Sequence, residues 1–243
     1  MITVDNKTIG EIVAEDYRTA QIFKNHNIDF CCKGNRSIKE VCKTNNMDPD
    51  ALLNEIEAMQ QQTSEGGTDY QSWPLDLLAD YIEKKHHRYV ESRIPELKAY
   101  LEKLCRVHGN RHPELIEITR LFHECGGELA AHMKKEELVL FPFIRKMVKT
   151  GKGEEIREPY FGTVQNPIEM MMHEHDTEGE RFRKIYALCD GYAAPEDACG
   201  TYRVTLALLQ EFENDLHLHI HLENNILFPK SVVLEKELRA HAS

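Results

Sequence analysis

Several common readings find nothing to stand on in this sequence. No apolar run approaches the roughly 18 residues of a membrane span. The opening stretch, MITVDNKTIGEIVAED, has neither a basic n-region nor an apolar h-region, so no signal peptide is expected and a cytoplasmic setting is. Basic charge is scarce: 30 Lys and Arg face 41 Asp and Glu, for a net charge of −11. That argues against nucleic acid as the main ligand, since a phosphate backbone needs a basic footprint. It leaves acidic-surface contacts with protein clients. The seven cysteines include no CxxC pair, so no zinc ribbon is indicated. Their odd number reads as free thiols in a reducing compartment. No strand-type alternation competes with helical periodicity. The hydrophobic share, 41% of 243 residues, is enough for a packed all-α core.

What is present is a pattern written twice. His132-Met-Lys-Lys-Glu136-Glu-Leu-Val-Leu-Phe141-Pro142 returns as His219-Ile-His-Leu-Glu223-Asn-Asn-Ile-Leu-Phe228-Pro229. Each matched residue stands 87 positions after its counterpart, 219 after 132, 223 after 136 and 228 after 141. A histidine and a glutamate four apart share one face of a helix. Two such pairs bring two imidazoles and two carboxylates together, which is ligand chemistry for a pair of first-row metal ions.

The chain divides at QQQTSEGGTDYQS (60–72), a polar, glycine-containing stretch without apolar periodicity. This sets residues 1–62 apart as a small helical unit, 63–72 as a linker and 73–243 as a larger domain. Capping boxes at Thr8–Glu11 and Ser37–Glu40, and Asp48 before Pro49, predict helices near 9–25, 38–44 and 49–61. About 60 residues is little for an independent core, so docking or a homodimer is expected. Beyond the linker, apolar residues at steps of three and four predict long helices near 74–105, 113–150, 167–190 and 196–239. Asn166-Pro167-Ile-Glu169 reads as a helix start. Short connections make these four an up-down four-helix bundle, built as two related hairpins.

His132, Glu136, His219 and Glu223 fall on the core-facing stripes. A buried carboxylate is costly unless it is paired or coordinates a metal, and two such pairs in matching register favour coordination. His175 lies on the apolar stripe of its helix, whereas His173 shares a polar face. His217 and His221 neighbour Glu213, Asn214 and Asn224 and are expected on the solvent face. The pair His86–His87 stays open: counting forward from Ile82 favours the first, and counting back from Val90 and Ile94 favours the second. Four histidines and two glutamates suit iron first, with positions left for O₂, NO or water.

HMKKEELVLFP, MHEHDTEG, HIHLENNILFP and NIDFCCKGNRSIKEVC together resemble the hemerythrin-like di-iron proteins called repair of iron centres. The order of a Cys-Cys unit, a linker and a bundle agrees over nearly the whole chain. The resemblance implies two non-haem iron ions held by His87, His132, Glu136, His175, His219 and Glu223, with the glutamates bridging. It selects His87 over His86. It places Glu174 near the metal and matches His108 to a recurrent histidine, in a loop where ligation is not expected. The implied role is the restoration of iron-sulfur clusters damaged by nitric oxide or oxidants.

Cys31 and Cys32 are adjacent, with α-carbons about 3.8 Å apart. That is shorter than the roughly 4.4 Å at which disulfides become comfortable. Lys33 and Arg36 are expected to lower their thiol pKa values. The functional expectation is a thiol pair on a mobile N-terminal unit that swings to the metal and passes iron or nitrosyl groups to damaged iron-sulfur proteins. Reduction of NO to N₂O at the metal pair is an enzymatic alternative, and an O₂-binding or O₂-sensing module is a third. Cys105, Cys125, Cys189 and Cys199 are read as bundle-packing residues.

Overall fold

The computed structural model describes residues 7–61, 68–150 and 159–241. The glycine-containing part of the expected linker, 62–67, lies outside the described residues. Among those described there is no strand, only a single bridge between Thr8 and Ser37. No helix among the described residues is long and apolar enough to cross a membrane.

Four short helices come first: α1 (Ile9–Glu15), α2 (Ala20–Asn25), α3 (Ile38–Asn45) and α4 (Pro49–Gln61). Both capping boxes form. Glu11 accepts the Thr8 amide at 2.8 Å, and Glu40 accepts the Ser37 amide at 2.8 Å. The helix expected over 9–25 is broken in two. Asp16 leaves the helical region (φ −146°) and turns its carboxylate onto the Arg18 amide, which starts a 3₁₀ turn before α2. A side chain that satisfies amides locally competes with the helical ladder.

The bundle follows. Its first rod is α5 (Leu75–Tyr81) and α6 (Arg88–His108), and its second is α7 (Glu114–Lys135) and α8 (Phe141–Lys149). The third is α9 (Gln165–Leu188), and the fourth is α10 (Gly200–Leu222) and α11 (Phe228–His241). Within each divided rod the two parts are joined by a π-turn, at Ile82–His87, Glu136–Leu140 and Glu223–Leu227. In the second and fourth rods the π-turn stops just ahead of Phe-Pro. A proline ring collides with the carbonyl four residues earlier, so an ordinary α-turn into Pro142 or Pro229 is disfavoured and a wider turn relieves it. The third rod does not start on Asn166. Helix α9 begins at Gln165, and Glu235 of α11 accepts the Val164 amide at 3.1 Å.

Helix α6 packs on α7 and α10, and α7 packs on α9. Every apolar residue on the expected stripes of the first, second and fourth rods is buried. On α9 the periodicity predicts a stripe of Ile168, Met171, His175, Gly179, Phe182, Tyr186 and Cys189, but Tyr186 is exposed and Ile185 takes the core position. Two apolar clusters result. One joins α6, α7, α10 and the far half of α9 to the N-terminal helices, with Phe122, Phe182 and Phe212 in contact at its centre. The other joins α5, α8, α11 and the start of α9. The N-terminal residues therefore share a core with the bundle.

That docking is close. Gly10 and Gly34 approach Asn225, and a Cβ on Gly10 would stand 2.2 Å from the Asn225 Oδ1. Asn225 is itself pinned, because its amide group donates to the Phe30 carbonyl at 3.2 Å. Gly10→Ala is expected to destabilise the protein by about 1–3 kcal/mol through overpacking, read as a lower midpoint in urea unfolding.

Candidate metal centre

Between the two apolar clusters lies a polar layer. His132 and Glu136 end α7 and open its π-turn, and His219 and Glu223 do the same in the fourth rod. His87 closes the π-turn of the first rod, and His175 sits in the middle of α9. All six side chains are buried, both glutamates completely. The π-turn accounts for the ambiguity at 86–87. An extra residue in that turn makes both counts valid, and both histidines are fully buried. His86 bonds Asp215 at 3.0 Å and stacks on His219, while His87 faces Glu136.

The six residues form two overlapping groups. His87, Glu136, His219 and Glu223 converge on one point, and His132, Glu136, His175 and Glu223 on another. Both glutamates belong to both groups. Glu136 Oε2 stands 3.4 Å from Nε2 of His87 and of His132. Glu223 lies 3.2 Å from His175 Nε2 and 3.1 Å from His219 Nε2. The His132 and His175 Nε2 atoms are 3.0 Å apart. Two ligands at about 2.1 Å from one ion, in neighbouring positions, have about that separation. Both Glu136 oxygens, one Glu223 oxygen and His87 Nε2 are buried without a hydrogen-bond partner. Buried carboxylate oxygens left unpaired are costly unless a cation takes them, so this donor set fits two metal ions.

Three of the four remaining imidazole nitrogens are held from outside, as metal-ligating histidines commonly are, while His219 Nδ1 is buried without a partner. Glu174 meets His132 Nδ1 at 2.8 Å and is itself paired with Lys135. The bond to His132 holds the Glu174 carboxyl down at about 2. Glu137 meets His87 Nδ1 at 3.1 Å, and Asn224 meets His175 Nδ1 at 2.9 Å. Sequence reasoning missed the last two and placed Asn224 on the solvent face, yet it is buried. A signal was there: Glu137 and Asn224 are the residues that follow the two glutamates of the repeat, again 87 apart. Each supports the histidine contributed by the first helix of its own hairpin.

The Cys31–Cys32 segment lies over α9 and the start of the π-turn of the fourth rod. Asn224 donates to the Cys31 carbonyl at 3.1 Å while its oxygen holds His175. The Cys32 thiol reaches the His175 carbonyl at 3.4 Å, and a Cβ on Gly179 would stand 3.2 Å from that sulfur. The thiols are thus already beside the centre, and no swing of the N-terminal unit is needed to bring them. Asp29 shapes the turn, accepting the Cys31 and Cys32 amides at 3.2 and 2.9 Å and Arg183 at 2.8 Å.

Three expectations fail here. Lys33 and Arg36 do not activate Cys31. Lys33 pairs with Glu180, and Arg36 bonds carbonyl oxygens. The bond with Cys32, together with burial and Asp29, raises the Cys31 thiol well above its ordinary range. His221 is buried and His217 partly so, because Tyr17 and Phe30 of the N-terminal segment cover them. All seven cysteines are free, and Cys199 is exposed, not packed.

A helical bundle crossed by paired His–Glu donors is a cation-binding architecture of hemerythrin type. The family model described as Hemerythrin HHE cation binding domain matches residues 78–231. A Domain of Unknown function (DUF542), the ScdA N-terminal domain, matches residues 5–60. The chain is 33% identical over 227 residues to the iron-sulfur cluster repair protein YtfE of Yersinia pseudotuberculosis, covering 93% of this chain and 97% of that one. It is 29% identical over 231 residues to the iron-sulfur cluster repair protein ScdA of Staphylococcus epidermidis, covering 95% and 99%. The chain belongs to this iron-sulfur cluster repair family, with its hemerythrin-like bundle.

Asn224→Ala removes the bond that orients His175 and is expected to weaken metal binding by roughly 10–100-fold, measured by competition with a chelator. Asp29 gives a pH-dependent test. Burial pushes its carboxyl up, but the Cys32 amide and Arg183 outweigh this and hold it below its usual value. The folded state therefore binds fewer protons at Asp29. The stabilisation is complete above the unfolded value of about 3.9 and is lost as pH falls through the folded one. The stability gap between the parent and Asp29→Asn, followed by denaturant unfolding, should narrow below about pH 4.

Proposed function

We propose that this protein repairs iron-sulfur clusters damaged by nitrosative or oxidative stress, in the cytoplasm, with two non-haem iron ions as its resident cofactor. The observation that carries the reading is the pair of donor groups sharing Glu136 and Glu223. Glu136 and Glu223, common to both groups, would hold the two ions together with His87 and His219 in one group and His132 and His175 in the other. The iron pair, when bound, supplies redox change and open positions for small ligands such as NO or O₂.

The residues around it have separate tasks. Glu174, Glu137 and Asn224 fix three imidazoles so that their other nitrogens face the centre. Beside His132 and His175 a cavity of about 180 Å³ is lined by Glu174 and Lys135 as well as Leu129. Its charged lining supports a water-accessible site over a dry pocket for storing O₂. Cys32, next to His175, is placed to accept iron as cargo on its way to or from a damaged client. The Cys31 thiol bonds to Asp29 at 3.4 Å and lies 3.8 Å from the Cys32 sulfur, so the pair acts from one fixed turn. The N-terminal segment finds its docking surface on its own bundle, so this reading does not require a second copy, and sedimentation of the purified protein checks that.

Metal analysis of protein from iron-grown cells should give close to two irons per chain. Because the glutamates are shared, Glu223→Ala should lose both ions, whereas His87→Ala should retain about one. Equal losses in the two variants would refute the bridging arrangement. Cys31→Ala/Cys32→Ala should keep both irons yet fail to restore a nitric-oxide-damaged iron-sulfur client. Full restoration by that variant would remove the thiols from the reading.

A further inference from the structure

At the end of the bundle remote from the metal centre, a second constellation is formed by two residues with no part in the function above. His108 is the last residue of α6 and is buried, at 4% exposure. Cys199 stands immediately before Gly200, the first residue of the 23-residue helix α10, and its side chain is exposed. The His108 Nε2 lies 3.2 Å from the Cys199 sulfur. The His108 ring is fixed against Tyr202 and His112, with centroids 5.4 and 6.3 Å away.

The other ring nitrogen decides the protonation. His108 Nδ1 is buried and has no hydrogen-bond partner. A buried N–H without an acceptor costs more than a bare lone pair without a donor. The proton is therefore assigned to Nε2, where it points at sulfur. The N-terminus of α10 adds its partial positive charge at the same atom. No first-turn amide bonds the sulfur with ordinary capping geometry. The amides of Tyr202 and Thr201, with the Thr201 hydroxyl, hold the thiol below its ordinary range. The contrast with other cysteines is one of partner type. Cys32, Cys105 and Cys189 each donate to a backbone carbonyl, and Cys31 donates to Asp29.

We propose that Cys199 is a thiolate nucleophile positioned by His108, and that it is a site of reversible S-thiolation by low-molecular-weight disulfides. The Cys199 thiolate attacks one sulfur of the disulfide. A new sulfur–sulfur bond forms to Cys199, the original one breaks, and the second sulfur leaves with the electron pair as a thiolate that solvent protonates. Cys199 is oxidised and the departing thiol is reduced, so no further oxidant enters. The same exchange with a reduced thiol reverses it. The titratable group packed against His108 is His112, which carries with it the charged groups Asp197, Glu114 and Arg111. Asp197 bonds His112 at 2.9 Å and pairs with Arg111 at 2.9 Å, and Glu114 bonds the other side of His112 at 3.0 Å.

The test uses the full-length protein loaded with iron. Exposure alone would make Cys199 the first cysteine to react, so the deciding quantity is the pH dependence. Alkylation of Cys199 by iodoacetamide, followed by peptide mass spectrometry, should inflect below the ordinary thiol value of about 8.5. Oxidised glutathione at pH 7 should place a mixed disulfide on Cys199, removed by reduced glutathione, with no change in iron content. His108→Gln should raise the inflection and slow alkylation at pH 7 about fivefold. An inflection at or above the ordinary value, or a His108→Gln profile matching the parent, would overturn the proposal. Should His108→Gln melt far below the parent, the parent's own profile, with Cys199→Ser as the blank, decides alone.

Discussion

Everything in this fold is arranged around two carboxylates buried where four helices meet. Glu136 and Glu223 have no exposed surface, and three of their four oxygens lack hydrogen-bond donors. Their mutual repulsion acts in the same direction as burial. A bundle packed by Leu and Phe on either side does not accommodate such a layer unless compensating charge enters it. The placement of four imidazoles, the division of the core into two clusters and the three π-turns all serve that layer. The π-turns rotate the helical face by the increment that an added residue brings, so the apolar stripe changes register where the ligands stand. Single-turn π-bulges inside α-helices often mark functional sites for this reason.

The bundle itself was legible from periodicity. Stripes such as Tyr202, Thr205, Leu209, Phe212 and Leu216 need only a constant 3.6-residue turn, and along most of each rod the turn is constant. Legibility ended where it was not. His86 and His87 could not be separated by counting because the turn that contains them is wider than the count assumes. Glu137 and Asn224 were overlooked for another reason. A single polar residue beside a stripe carries no periodic signal, and only the duplication marks it. The burial of His221 was beyond any local reading, since its cover, Tyr17 and Phe30, comes from the other end of the chain.

Charge neighbours in sequence also proved a poor guide to charge neighbours in space. Lys33 and Arg36 follow Cys32 closely, yet their side chains turn to Glu180 and to backbone carbonyls. The groups that act on Cys31 are Cys32 and Asp29, and they raise its thiol. At Cys199 no basic residue is adjacent in sequence, and the histidine that meets it arrives from a helix end 91 positions away. In both places the backbone path decides the environment, and the path is set by helix ends.

The double contact of Asn224 has a thermodynamic consequence. One side chain holds His175 with its oxygen and the Cys31 carbonyl with its nitrogen. Whatever fixes the imidazole therefore also fixes the loop, and the two events share a free energy. By reciprocity, the factor by which a seated cysteine loop tightens the grip on the metal equals the factor by which metal occupancy tightens the seating of the loop. Loading and docking are one equilibrium viewed from two sides. Under the proposed repair function, a client that pried the loop away to reach the thiols would loosen the ion as it did so.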